Sequence, residues 1–177
     1  MTDAAAAPHI LSGPAAPDRR PAASPVAEPT GFAMRDAEAG DVEAIVAMLA
    51  DDPLGAAREA PGDPGYAAAF AAIAADPGER LMVAAIDGAV VGCLQLGVVP
   101  TLSRRGASRA VIEGVRVAAP WRSRGVGAAM VRRAVEIARA RGCAMVQLAT
   151  DRSRTDAQRF YARLGFEPSH VGMKLML

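Results

Sequence analysis

The feature that most constrains this 177-residue chain is residues 111–127, VIEGVRVAAPWRSRGVG. A β-rich run through Val117 leads into a short loop. Then Arg122-Ser123-Arg124-Gly125-Val126-Gly127 opens a helical pattern. The first turn of a helix carries unpaired backbone N–H groups and a partial positive charge, so an anion can seat there and accept those hydrogen bonds. Gly125 and Gly127 let the backbone come close to a phosphate. Arg122 and Arg124 add two permanent charges suited to phosphate oxygens. The segment reads as a strand–loop–helix site for a pyrophosphate.

Two common pyrophosphate loops fit poorly. A Walker loop needs Gly-Lys-Ser/Thr, and this segment has no lysine. A dinucleotide fingerprint needs Gly or Ala three residues after Gly127, where Met130 stands, and its glycines begin at the strand end, whereas residues 118–124 intervene here. Asp151, at the end of the next strand-like run, could stand in for a ribose-binding acid, which keeps a dinucleotide reading open. An ordinary loop into a helix is the bland alternative.

Hydrophobic periodicity sets out the rest. Strands are predicted over 32–37, 81–86, 90–99, 110–117, 144–149 and 173–177, with Asp87-Gly88 as a hairpin turn between the second and third. Helices are predicted over 41–49, 66–75, 125–141 and 156–164. Residues 101–108 read as a polar, basic loop. The order is strand, two helices, three antiparallel-type strands, helix, strand, helix, strand. That is an α/β fold: a single domain with one mixed central sheet flanked by helices. Residues 1–31 hold six prolines among many alanines and have little to bury, so they read as a disordered tail, and the domain as residues 32–177.

Composition narrows the partners. The net charge of +1 is too near neutral to indicate nucleic acid or an anionic membrane surface. No run approaches the roughly 20 apolar residues of a membrane span, and the N-terminus lacks a secretory pattern. The cytoplasm is the default compartment. Cys93 and Cys143 sit in apolar surroundings without metal-ligand or disulfide spacing, so no metal is expected and both read as small buried residues.

VRVAAPWRSRGVG, residues 115–127, resembles the coenzyme A signature of the GNAT N-acetyltransferase superfamily: a Val-x-Val strand end, then Gln/Arg-x-x-Gly-x-Gly/Ala. DAQRFYARLGF, residues 156–166, resembles the family's second signature, a helix with Ala and Tyr that ends in Gly-Phe. The two occur in the family's order, with a helix and a strand between them. The resemblance runs from about residue 34 to the end of the chain. It implies acetyl-coenzyme A as co-substrate and a primary amine as acceptor, on a small molecule or a peptide. Family members are often dimers, so it leaves a homodimer open.

The resemblance also implies site residues. Val115, Arg116 and Val117 lie on a strand that in the family splays from its neighbour and offers unpaired N–H groups to the acetyl carbonyl and pantetheine. Arg122, Ser123, Arg124, Gly125, Val126 and Gly127 would hold the diphosphate. Tyr161 matches the tyrosine that protonates the leaving thiolate; alternatively it is a core aromatic. Where many members have an asparagine that touches the pantetheine, this chain has Arg154, which cannot accept a hydrogen bond; Thr155 or Asp151 could take over. An amine with pKa near ~10.4 needs a base. Glu113 is the first candidate: simple alternation puts it on the face of Val111, Val115 and Val117, and a carboxylate there is costly without a purpose or partner. Pairing with Arg109 or Arg116 would also explain it. His170 is the second candidate. Arg104, Arg105 and Arg109 would contact an acidic acceptor or the 3′-phosphate, or form a solvated loop. Residues 54–63 lie where the family varies its acceptor site. A catalytically silent acyl-coenzyme A-binding module would share the same cofactor signature.

Overall fold

Asp87 and Gly88, both at positive φ (50° and 84°), turn the chain back on itself. That is the geometry of a two-residue hairpin that matches strand twist. The turn joins β2 (Glu79–Ile86) to β3 (Ala89–Val99) in the longest antiparallel ladder of the sheet. The computed structural model describes residues 27–52 and 55–177. The expected tail therefore lies largely outside the described residues.

β1 (Phe32–Asp36) pairs antiparallel with β2, and β4 (Arg109–Val117) antiparallel with β3. β5 (Met145–Leu148) runs parallel to β4, giving a five-stranded mixed sheet in the order β1-β2-β3-β4-β5. The parallel step needs a crossover, and helix α4 (Val126–Ala140) supplies it. The other helices are α1 (Val42–Ala50), α2 (Gly65–Ala75) and α5 (Thr155–Arg163), with a single turn, α3 (Ser103–Gly106), inside the expected basic loop.

Strand alternation sorts the core onto two faces. On one face Met82, Leu94, Leu96, Ala110 and Ile112 pack against Met130, Val131, Ala134 and Ala138 of α4. On the other, Val83 and Cys93 pack against Ile45 and Met48 of α1. Ala134 and Ala138 are fully buried, and their small size brings α4 close to the sheet. Among the described residues no helix is long and apolar enough to cross a membrane.

One expected element is missing. Residues 173–177 form no strand: Met173, Leu175, Met176 and Leu177 are exposed. Their alternation implies a strand with an apolar face but says nothing of which edge would pair with it, and the chain after α5 leaves the sheet.

Candidate active site

β4 keeps β3 as partner as far as Val117, but its pairing with β5 ends at Ile112 opposite Leu148. Residues 113–117 have no strand on that side, so the sheet opens there into a V. Val115, Arg116 and Val117 line a cavity of about 360 Å³ in this opening, together with Asp51, Asp52, Arg122 and Arg154.

A β-bulge sets which side chains face it. Gly114 has φ 59°, and the β3 register skips between Cys93 and Gln95. Ala110 and Ile112 pack toward α4 before the bulge, and Val115 and Val117 do so after it. An extra residue shifts the alternation by one. Glu113 therefore does not share the face of Val115 and Val117, as uninterrupted alternation predicts; it lies on the opposite face, with Arg116. Glu113 is exposed, pairs across from Gln95, and is not in the cavity wall.

The mouth of α4 has the expected shape. Gly125 caps the helix at φ 84°, Ser123 stands at φ 61°, and no side chain among the described residues caps the first turn. A Cβ on Gly127 would stand 3.5 Å from Phe160 and from Val117, an ordinary contact. The chain's own packing therefore does not demand glycine there. Arg124 stacks over Trp121 at 5.4 Å. Arg122 turns instead toward the cavity: Nε donates to the Val117 carbonyl at 3.0 Å and a terminal nitrogen reaches Asp51 Oδ2 at 2.7 Å.

Tyr161 projects from α5 into the core, edge-on to Phe160 and Phe166 at 5.0 and 5.8 Å. Burial raises its phenol pKa, and the charges of Arg154 and Arg116 pull it partly back. Arg154, just before α5, places a terminal nitrogen 3.1 Å from Asp52 Oδ1. Arg116 lies 3.5 Å from Asp52 Oδ2. Asp151 is engaged locally, accepting from the Ser153 N–H at 2.9 Å and its hydroxyl at 2.6 Å, which lowers its pKa. Thr155 is the first residue of α5.

The other candidates lie elsewhere. His170 Nδ1 pairs with Ser169 Oγ at 2.8 Å in the exposed C-terminal stretch. Arg109 begins β4 and Val117 ends it. At about 3.3 Å per residue the basic loop lies roughly 26 Å from the cavity end. Asp51 and Asp52 went unnoticed in the sequence, because an Asp-Asp-Pro run after a helix reads as a plain stop signal. Asp52 is buried at 8% exposure, and only the fold brings it to Arg116 and Arg154.

Comparison with known proteins agrees with this geometry. The profile of the acetyltransferase (GNAT) family matches residues 42–166, which include both signatures. An aminoalkylphosphonate N-acetyltransferase of Salmonella typhimurium (strain LT2) is 35% identical over 101 residues. That match spans 57% of this chain and 65% of the relative, so the chain covers somewhat less than two thirds of that protein's length. A transcriptional regulator from Bacillus halodurans C-125 is 44% identical with a TM-score of 0.80, covering 82% of this chain and 99% of that one. A candidate acetyltransferase from Agrobacterium tumefaciens str. C58 is 31% identical with a TM-score of 0.72, at the same coverage. With a family match over most of the described domain, laid on a splayed β4 and an uncapped α4, the chain belongs to the acetyltransferase (GNAT) family.

Proposed function

We propose that this protein is an acetyl-coenzyme A-dependent N-acetyltransferase that acetylates a primary amine by direct attack. The observation that carries the reading is the adjacency of two features: an uncapped α4 mouth with Gly125 in the left-handed region, and the cavity where β4 leaves β5.

The residues present fit the co-substrate. The free N–H groups of the first α4 turn suit a diphosphate, with Ser123, Gly125, Val126 and Gly127 shaping the approach and Arg124 beside it. Arg122, held at the cavity by Asp51, adds charge between the two regions. The open side of Val115, Arg116 and Val117 offers backbone donors to the acetyl carbonyl. Acetyl-coenzyme A supplies an activated thioester. Tyr161 donates a proton to the departing sulfur: its raised pKa keeps the phenol protonated at neutral pH. Glu113, exposed on the Arg116 face, takes the amine proton through water. His170 is the alternative base.

Cys93 supports direct attack. It is almost fully buried, and burial pushes its thiol pKa up to about 12, so it carries no nucleophilic thiolate near neutral pH. The cysteines among the described residues are unpaired, which suits a reducing cytoplasm, and family resemblance keeps a homodimer within the reading.

The test pairs Tyr161→Phe with Glu113→Gln. Each should lower kcat for thiol release by roughly 10²- to 10⁴-fold, with the calorimetric Kd for acetyl-coenzyme A unchanged. Undiminished turnover in both would remove these roles. Cofactor binding by the wild type without thiol release from any amine would favour a silent binding module.

A further inference from the structure

The charges around the cavity do not balance. Arg122 and Asp51 pair at 2.7 Å, but both side chains are about half exposed, at 49% and 58%, and water screens them. Deeper in, Asp52 faces two guanidinium groups, Arg154 at 3.1 Å and Arg116 at 3.5 Å. The Asp52 and Arg116 side chains are only 8% and 11% exposed. One carboxylate thus serves two guanidinium groups: Arg116, which is buried with it, and Arg154, which is 37% exposed at the cavity. Arg116 is also under-satisfied. One terminal nitrogen donates to the Val115 carbonyl at 2.9 Å, and the other makes the long contact with Asp52. Nε is buried and has no hydrogen-bond partner among the described residues. Glu59, which feels the Arg116 charge, does not fill the gap. Its oxygens are taken by Arg58 and by the Tyr66 hydroxyl, each at 2.9 Å.

A buried donor left without a partner is costly, so Arg116 in a cavity wall, with the guanidinium of Arg154 beside the same carboxylate, marks a place for an anion. The coenzyme A diphosphate is not the natural occupant. Its seat is the α4 mouth, whereas the Gly114 bulge turns Arg116 to the opposite face of β4, toward Cys93 and the end of α1. That leaves the second substrate. We infer that the acceptor is a small amine bearing an anionic group, gripped by Arg116 and Arg154. The inference rests on the acetyl-transfer reading above. Guanidinium forks bind carboxylate and phosphonate oxygens through paired, charge-assisted hydrogen bonds. Asp52 is a positioning residue: it holds the two forks toward one point. The cavity of about 360 Å³ is also where the acetyl carbonyl is placed above, so an anion held by Arg116 and Arg154 lies beside the reacting centre.

The experiment compares three amines of similar length on the full chain: 2-aminoethylphosphonate, β-alanine and propylamine. By thiol release, kcat/KM for an anionic amine should exceed that for propylamine by roughly 10- to 150-fold, the value of a charged hydrogen-bonded pair. Preference for the phosphonate assigns the site to a tetrahedral dianion, and preference for β-alanine to a carboxylate. Arg154→Gln should collapse the anionic-to-neutral ratio toward one. Arg116→Gln should do the same, but it strands buried Asp52 and can unfold the domain. Calorimetric titration of 2-aminoethylphosphonate into the coenzyme A-saturated wild type therefore serves as the independent arm, with binding expected there and lost in Arg154→Gln. Propylamine turned over as fast as both anionic amines would overturn the anionic acceptor and leave acetyl transfer standing. No thiol release from any amine would overturn acetyl transfer. If 2-aminoethylphosphonate then also failed to bind, the anion site would fall with it.

Discussion

Gly114 stands at φ 59°, and a Cβ built on it would meet nothing within 4 Å. What selects glycine there is the left-handed backbone rather than space. Through that one residue Arg116, rather than Val115 or Val117, faces Asp52. Tyr161 shows the same dependence on surroundings. Burial raises its pKa, and Arg154 and Arg116 only partly offset this. A raised pKa extends the pH range over which a general acid keeps its proton. The alkaline limb of kcat should therefore fall above the ordinary tyrosine value of ~10 and disappear in Tyr161→Phe. A limb near neutrality that survives the substitution would take the acid role from Tyr161. The place of Tyr161 on a helix was legible from its signature, whereas the meeting of Arg116 and Arg154 at Asp52 was not, because the three come from different elements.

At the scale of elements, α4 combines two tasks. Its buried face, with Met130, Val131, Ala134 and Ala138, holds the sheet, and its N-terminus stays uncapped. A helix of 15 residues lacking a side-chain cap gives up about 1 kcal/mol that serine or aspartate would supply. α1 also lacks a side-chain cap, and the aspartate at its start is engaged elsewhere. Before it, Asp41 accepts two hydrogen bonds from Arg35, at 2.6 and 2.9 Å, and one from the Glu38 N–H at 2.8 Å. That Arg35 pairing holds the Asp41 carboxyl below its usual pKa. Gly125→Val should cost about 1–2 kcal/mol through its left-handed backbone and weaken acetyl-coenzyme A binding at least tenfold by calorimetry, because a branched side chain then occupies the helix mouth. Unchanged affinity would move the diphosphate away from α4.

For the whole molecule, the sheet is both the stable body and the source of the site. Leu94 is fully buried between the strands and α4. Leu94→Ala should cost about 2–5 kcal/mol and lower Tm by roughly 5–15 °C; a loss under 1 kcal/mol in urea unfolding would mean the core collapses around the gap. The site exists because β4 and β5 part company. β5 has four residues and β4 has nine, so the longer strand outlasts its partner. Local patterns in the sequence determined the elements: the Asp87-Gly88 hairpin, the periodicity of α1, α4 and α5, and the arginine–glycine run at the α4 mouth. Each depends on neighbours within a few residues, so each is readable from the chain. The open side of β4, the face reversal at Gly114, the burial of Asp52 and the unpaired C-terminal residues were decided only by tertiary structure. They depend on which strand ends first, which face a bulge turns outward and which distant charge arrives beside another. Those are relations between segments far apart in the chain, and no local spacing encodes them.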